Sequence, residues 1–115
     1  MKPNICLDPR SLGAVLLSMT ILSLGCGAVR NPALERARDD YDRARQDREL
    51  VRRAGAALDR ARLTLEQAER VWTTEKDVVE TEHLAYIAEK RIEIARAIAR
   101  RRIAADEIQQ LNSRE

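Results

Sequence analysis

The sequence predicts an all-α protein: a signal peptide followed by a short antiparallel bundle of three helices, the last one long, packed as in a coiled coil. After Pro32, apolar residues recur at steps of three and four, which is the spacing of one helix face. The alternation typical of β-strands is absent there. Pro32 is also the last proline, and Gly55 is the only glycine beyond Gly27.

Composition limits the core and the range of functions. Hydrophobic residues make up 44% of the 115 residues, many of them alanine, and the aromatic residues are Tyr41, Trp72 and Tyr86 alone. Such a chain suits closely packed helices around a thin core, and self-association is an open way to bury more surface. The formal net charge of +2 argues against a nucleic-acid binder driven by phosphate neutralisation.

The N-terminal segment differs from everything after it. Lys2 and Arg10 precede an uncharged apolar run, residues 11–25. This run has the length of a signal-peptide core and falls short of the ~20 residues that a membrane-spanning helix needs. We therefore interpret residues 1–25 as a secretory signal.

The end of that segment, Ser23-Leu24-Gly25-Cys26, resembles the lipobox of bacterial lipoproteins. The Gly-Cys junction fits, although the leucine and the small residue are transposed. The resemblance implies cleavage between Gly25 and Cys26, acylation of Cys26 with chains such as palmitate, and loss of Cys6. Gly27, where an aspartate would retain enterobacterial lipoproteins at the inner membrane, implies the outer membrane. Ordinary cleavage with a free thiol, or an uncleaved anchor, stay open as alternatives.

The remaining chain divides into a tether, 26–32, a helical domain, 33–112, and a tail, 113–115. Asn31 is the expected N-cap and Pro32 the first helical residue. We predict helices over 33–47, 51–72 and 75–112. The predicted core stripes are Leu34, Ala37, Tyr41 and Ala44; Leu58, Ala61, Leu65, Ala68 and Trp72; and Leu84, Ala88, Ala95 and Ala99, flanked by Ile87, Ile94 and Ile98.

Two breaks separate these helices. The first is RQDRELVRRAG, 45–55, where the apolar stripe is lost among charges. The second is WTTEKD, 72–77, with Thr74 as N-cap and Asp77 in the first turn. One continuous helix across the second break is the alternative. Pairs four residues apart predict ion pairs on a solvated face: Asp39–Arg43, Glu49–Arg53 and Glu66–Arg70.

Candidate chemical sites are few. Glu80 and His83 have the Glu-x-x-His spacing of di-iron bundles, but the single histidine leaves no second motif, so we expect no metal and assign His83 to packing or capping. The arginines Arg96, Arg100, Arg101 and Arg102 point around the helix and indicate a solvated face, with contact to anionic lipid or cell-wall polymer as the alternative. Trp72 is expected to plug the core. No catalytic set or cofactor motif is evident.

The segment HLAYIAEKRIEIARAIA, 83–99, with ALDRARLTLEQAERVW, 57–72, and NPALERARDDYDRAR, 31–45, resembles the helical domain of unknown function numbered 4398. Its most specific part is His83, Leu84, Ala85 and Tyr86; Leu84 and Ala88 are expected to face the bundle, and Tyr86 another flank. The resemblance implies an envelope lipoprotein without established catalysis, often preceding an OmpA-like domain. The chain departs from it in lacking a proline before the second helix.

These observations together predict a non-catalytic, lipid-anchored protein of the outer membrane that faces the periplasm. Its helices would act as a spacer or interaction module towards the cell wall or other envelope proteins, held to the membrane through acylated Cys26. The alternative is a soluble periplasmic adaptor or chaperone-like protein. Because the chain stops at NSRE without an OmpA-like domain, we expect either a truncated product or a stand-alone version.

Overall fold

The structure is a computed structural model and describes residues 29–115. Three helices follow one another in that range: α1 (Pro32–Gln46), α2 (Arg48–Thr74) and α3 (Val78–Asn112). They account for 89% of the described residues, which contain no strand, so the all-α prediction is confirmed. The proposed signal peptide, 1–25, and the first three residues of the tether, 26–28, lie outside the described residues.

The start of α1 follows the predicted capping chemistry. Asn31 has an extended backbone, and its side-chain oxygen accepts a hydrogen bond from the Leu34 N–H at 3.1 Å. Pro32 occupies the first turn, where its missing N–H costs no helical hydrogen bond. Asn31 is itself buried, so this cap also joins the core.

The first break is shorter than the sequence suggested. Asp47 alone separates α1 from α2, and its carboxylate accepts hydrogen bonds from the N–H groups of Glu49 and Leu50 at 3.0 and 3.1 Å. This cap starts α2 at Arg48, so the predicted start at residue 51 is wrong. Part of the predicted break survives as a kink inside α2, where Ala54 has non-helical angles (φ −136°, ψ 29°).

The second break lies slightly later than predicted. Thr74 is the last residue of α2, and Asp77 rather than Thr74 is the N-cap of α3, accepting from the Glu80 N–H at 3.0 Å. Lys76 adopts a left-handed conformation (φ 56°). Its N–H and that of Glu75 both bond to the Val71 carbonyl, at 3.0 and 2.9 Å, and close the last turn of α2. The alternative of one continuous helix is therefore wrong.

The helices pack as an antiparallel bundle around two apolar clusters. The first cluster joins the start of α1, the end of α2 and the start of α3; the second joins the end of α1, the start of α2 and the middle of α3. Hence α2 runs antiparallel to both neighbours. Tyr41 packs against both clusters. The first contains Leu34, Ala37, Leu65, Ala68, Val71, Leu84, Ala85 and Ala88, and the second Ala44, Leu50, Ala54, Leu58, Ala61, Ile92, Ala95 and Ala99.

Polar contacts set where α1 lies on the α2–α3 hairpin. Arg38 of α1 bonds to Glu69 of α2 at 2.6 Å, and Arg96 of α3 bonds to Asp40 of α1 at 2.8 Å. Both contacts belong to the same side of the hairpin, so α1 covers that side and leaves the opposite one uncovered.

Only one of the three predicted ion pairs forms. Glu49 and Arg53 meet at 2.8 Å, as expected. Arg43 instead approaches Asp40, and Glu66 binds Arg62 at 2.5 Å, so the other two pairings are wrong. In both cases an oppositely charged residue three or four positions away on the N-terminal side competes for the same group.

Candidate functional site

A large cleft in the described part of the chain lies at the end of the bundle where the chain enters α1. It has a volume of about 710 Å³ and opens between the start of α1 and the end of α2. One of its lining residues, Val29, is three positions after Cys26 in the sequence. The cleft is lined by Val29, Arg30, Glu35, Arg38, Trp72, Thr73 and Lys76.

Trp72 forms the apolar wall of this cleft. Its ring is half-buried and packs against the first apolar cluster, which agrees with the predicted core role for part of the side chain. The remaining surface lines the cleft, and the Lys76 ammonium lies 5.2 Å from the ring centroid, within cation–π distance. Trp72 therefore serves both the core and the cleft.

The opposite wall is an ionic network centred on Arg38. Its guanidinium donates to Glu69 at 2.6 Å and to Glu35 at 2.5 Å. The hydrogen bond to Glu69, aided by the one to Glu35, raises the pKa of Arg38, so this side chain stays charged. Both carboxylates are engaged by the arginine, Glu35 in the cleft lining and Glu69 behind it.

The family segment at the start of α3 divides into buried and exposed residues. Leu84 and Ala85 lie in the first apolar cluster, and Ala88 joins them one turn later, as predicted for Leu84 and Ala88. Tyr86 is 56% exposed on another flank, also as expected. It lines a shallow depression between α1 and α3, where the Lys90 ammonium lies 5.4 Å from its ring centroid.

His83 does not have the expected role. It is exposed, so it does not pack in the core, and the cap of α3 is Asp77. Asp77 caps α3 because it directly precedes the first helical residue, Val78. His83 already lies in the second turn of α3, where the backbone N–H groups bond within the helix.

A comparison with known families matches residues 32–111 to the Domain of unknown function (DUF4398). The chain belongs to the DUF4398 family. A search of curated proteins and a search of solved structures each found no significant match. The association of DUF4398 with OmpA-like domains stays a prediction, because the match concerns the helical domain alone.

Within the DUF4398 domain, the described residues offer no metal centre. Glu80 and His83 are both exposed, and no group of three His, Cys, Asp or Glu side chains in residues 29–115 is placed to hold an ion. Every buried side-chain nitrogen or oxygen in that range has a hydrogen-bond partner. The expected cleavage and lipidation residues, Gly25 and Cys26, lie outside the described part.

The arginine cluster of the DUF4398 domain is divided between two sides of α3. Arg96 pairs with Asp40, and Arg100 lines a depression beside Asp47 and Glu49, both on the α1 side. Arg101 and Arg102 line a different depression of about 400 Å³ with Ile98 and Ala105. The sequence correctly indicated that these residues are not one patch, but it could not show what each half faces.

Sequence reasoning missed the cleft and its cation. Lys76 lies beyond the last residue of α2 and has a left-handed backbone, so helical spacing alone does not predict its contact with Trp72. Arg38 and Glu69 are 31 positions apart, and only the antiparallel packing brings them together. Among the helices described here, none is both long and apolar enough to cross a bilayer.

Proposed function

We propose that this DUF4398 protein is a non-catalytic lipoprotein, held in the outer membrane by acylated Cys26 and facing the periplasm as a helical spacer or interaction module. The observation that carries the proposal is the order of the chain. An uncharged apolar run ends at Gly25-Cys26, and a charged helical bundle begins six residues later, at Pro32.

The geometry of the bundle supports a passive role. Six residues of extended chain reach about 20 Å, so the Trp72 cleft would lie close to the membrane surface. The 35 residues of α3 extend about 50 Å from that end. The helices would therefore present charged surfaces up to about 50 Å from the anchor, to the cell wall or to envelope proteins.

Acylation supplies enough free energy for a stable anchor. Each buried methylene contributes ~0.8 kcal/mol; a single myristoyl chain binds only marginally, whereas two or more chains anchor stably. Cys26 is the residue at which such chains would be attached. The described helices then need no apolar surface of their own to stay at the membrane.

The test is the intact mass of the membrane-extracted protein, compared among wild type, Cys26→Ser and Cys6→Ser. We expect wild type and Cys6→Ser to share one mass, that of an acylated chain beginning at Cys26. Cys26→Ser should lose the acyl mass and leave the outer-membrane fraction. A wild-type protein with a bare thiol, or with residues 1–25 attached, would contradict the proposal.

Exposed apolar side chains favour a second candidate, a soluble periplasmic adaptor or chaperone-like protein. Leu63, Ile94, Ile108 and Leu111 are all more than half exposed and could bind apolar segments of clients. A periplasmic pool released without detergent would support this candidate. A pool extracted by detergent alone would support the lipoprotein.

A further inference from the structure

The side of the α2–α3 hairpin opposite α1 combines arginines with exposed apolar residues. We call it the open face and define it by Arg60, Leu63 and Arg70 of α2 and by Arg91, Ile94 and Arg101 of α3. At 100° per residue, the three residues of each helix lie within one quadrant of its circumference. The face therefore has the same character along both helices.

Contacts between α2 and α3 locate this face. The Arg91 guanidinium reaches across to the Thr64 hydroxyl and the Arg60 carbonyl, and Arg102 reaches the Arg53 carbonyl. These bonds run along the seam of the hairpin. The contacts with α1, through Arg38 and Arg96, lie on the other side. Nothing else in residues 29–115 covers the open face.

Its arginines lack the partners that other arginines have. Arg38, Arg53, Arg62 and Arg96 each bind a carboxylate, whereas Arg60, Arg70, Arg91 and Arg101 form no ion pair within the described range. Asp59, at the edge of the face, is bound to Arg62, and Glu80 lies at the turn end of α3. Four arginines without a carboxylate partner among residues 29–115 therefore lie together on the open face, while Arg36, Arg100 and Arg114 are unpaired elsewhere on the bundle.

Apolar side chains lie among these charges. Leu63 is 52% exposed and Ile94 is 55% exposed. Basic side chains interleaved with aliphatic ones are typical of surfaces that rest on a bilayer, where the apolar groups enter the headgroup boundary. Arginine matches phosphate oxygens with two parallel hydrogen bonds, and each basic residue near an anionic surface adds attraction.

Other occupants fit this chemistry less well. A second copy placed face to face would bring unpaired arginines against unpaired arginines, which is repulsive. A single-stranded nucleic acid would call for aromatic side chains on which its bases stack, and the defining residues include none. An acidic protein would match the charge but does not by itself account for the exposed aliphatic residues.

We propose that the open face binds the anionic phospholipid headgroups of a bilayer, with Arg60, Arg70, Arg91 and Arg101 on the phosphates and Leu63 and Ile94 in the headgroup boundary. The proposal deepens the proposed function, since it implies that the bundle lies along the membrane surface. It does not depend on acylation, because the face belongs to the helices alone.

The test uses the purified full chain carrying Cys26→Ser, so that acyl chains play no part. Partitioning is measured on vesicles of phosphatidylglycerol and phosphatidylcholine and on vesicles of phosphatidylcholine alone. The ratio of the two partition coefficients cancels the part of N-terminal binding that is equal on both vesicles, and comparison between variants cancels the part due to Lys2 and Arg10. The open-face variant is Arg60→Gln, Arg70→Gln and Arg101→Gln; the matched control is Arg36→Gln, Arg100→Gln and Arg114→Gln.

Both variants lose three positive charges, and none of the six arginines forms an ion pair within the described residues. We expect the open-face variant to lower the ratio by about 100-fold at low salt and the control by under tenfold. The pair Leu63→Ser and Ile94→Ser should weaken vesicle binding more than Ile108→Ser and Leu111→Ser. Circular dichroism checks that all variants keep their helices.

Three results would overturn the proposal. One is equal loss in the open-face and control variants, which would mean that only total charge matters. Another is a ratio of partition coefficients near one for the Cys26→Ser chain that keeps all its arginines. The third is binding to soluble polyglutamate that depends on the open face without binding to anionic vesicles, which would assign the face to an acidic protein. None of these results bears on whether Cys26 is acylated, so the two proposals fail separately.

Discussion

Ile92 and Ile94 lie two positions apart on α3 and face opposite environments: Ile92 is fully buried in the second apolar cluster, whereas Ile94 is 55% exposed on the open face. Among the buried residues of that cluster only Leu50 and Leu58 match Ile92 in size; the others are alanines. The bundle therefore depends on a few large side chains set among small ones.

This contrast makes a first prediction. Ile92→Ala should lower the free energy of unfolding by about 2–5 kcal/mol, because it removes buried methyl groups and leaves a cavity among alanines. Ile94→Ala should change it by less than about 0.5 kcal/mol. Chemical denaturation at a fixed protein concentration measures both. Similar losses in the two variants would mean that α3 does not face the core as described.

A second prediction concerns the replacement of a small buried side chain by a larger one. Ala95 is fully buried where α3 packs against its neighbours, whereas Ala104 is exposed on the same helix. Ala95→Leu should destabilise the bundle by about 1–3 kcal/mol, because the helices must separate to admit the larger side chain. Ala104→Leu should be nearly neutral. A stable Ala95→Leu variant would show that the helices are not in close contact there.

A third prediction concerns the turn between α2 and α3. Lys76 has a left-handed backbone (φ 56°), which glycine adopts without strain, whereas Lys90 lies in the middle of α3. Each lysine also lies over an aromatic ring, and Lys90 in addition forms an exposed ion pair with Glu93 at 2.9 Å, whose loss adds little. Lys76→Gly should be more stable than Lys90→Gly by about 1–2 kcal/mol, as measured by thermal or chemical unfolding.

A fourth prediction concerns the exposed ion pairs at the start of α2. Hydrogen bonds from Arg52 and Arg53 lower the pKa of Glu49 below its ordinary value of 4.5. Arg52→Gln should raise the pKa of Glu49 towards that value, and Arg36→Gln should leave it unchanged. Carbon NMR of the side-chain carboxyl group measures the pKa. An unchanged pKa in Arg52→Gln would show that the pair is not formed in solution.

The lowered pKa of Glu49 also sets the sign of a stability change. Its carboxylate is favoured in the folded state, so its contribution is present above pH 4.5 and is lost as the pH falls through the folded-state pKa. Glu49→Gln should therefore reduce the dependence of stability on pH in that acidic range. Denaturation curves at a series of pH values measure this effect.

Local signals predicted much of the fold. The Asn31-Pro32 start and the all-α class follow from residues close together in the chain, and each was confirmed. The apolar stripes were confirmed in part, because the fully buried Ile92 was not among the predicted core residues. The starts of α2 and α3 were predicted less accurately because their caps, Asp47 and Asp77, lie inside stretches that look like continuous charge. A cap depends on local hydrogen bonds that apolar periodicity does not report.

The candidate sites were harder to predict, since they depend on which helices are neighbours. The open face joins Arg60 to Arg91, 31 positions apart, and no spacing rule within one helix relates them. The division of Arg96 from Arg101 likewise required the position of α1. Cys26 differs from these sites, because its interpretation depends on the local sequence alone and not on which helices are neighbours.

The parallel directions of α1 and α3 have a mechanical consequence. Pro32 and the far end of α3, at Asn112, lie at opposite ends of the bundle, so a tensile force applied between them acts along the helix axes. Such a force would load the whole α1–α3 contact in shear, including the Arg96–Asp40 bond, instead of peeling the helices apart one turn at a time. The domain should resist stretching from these two ends far better than stretching from Pro32 and Thr74, which lie at the same end of the bundle, so that the force would peel α1 from α2.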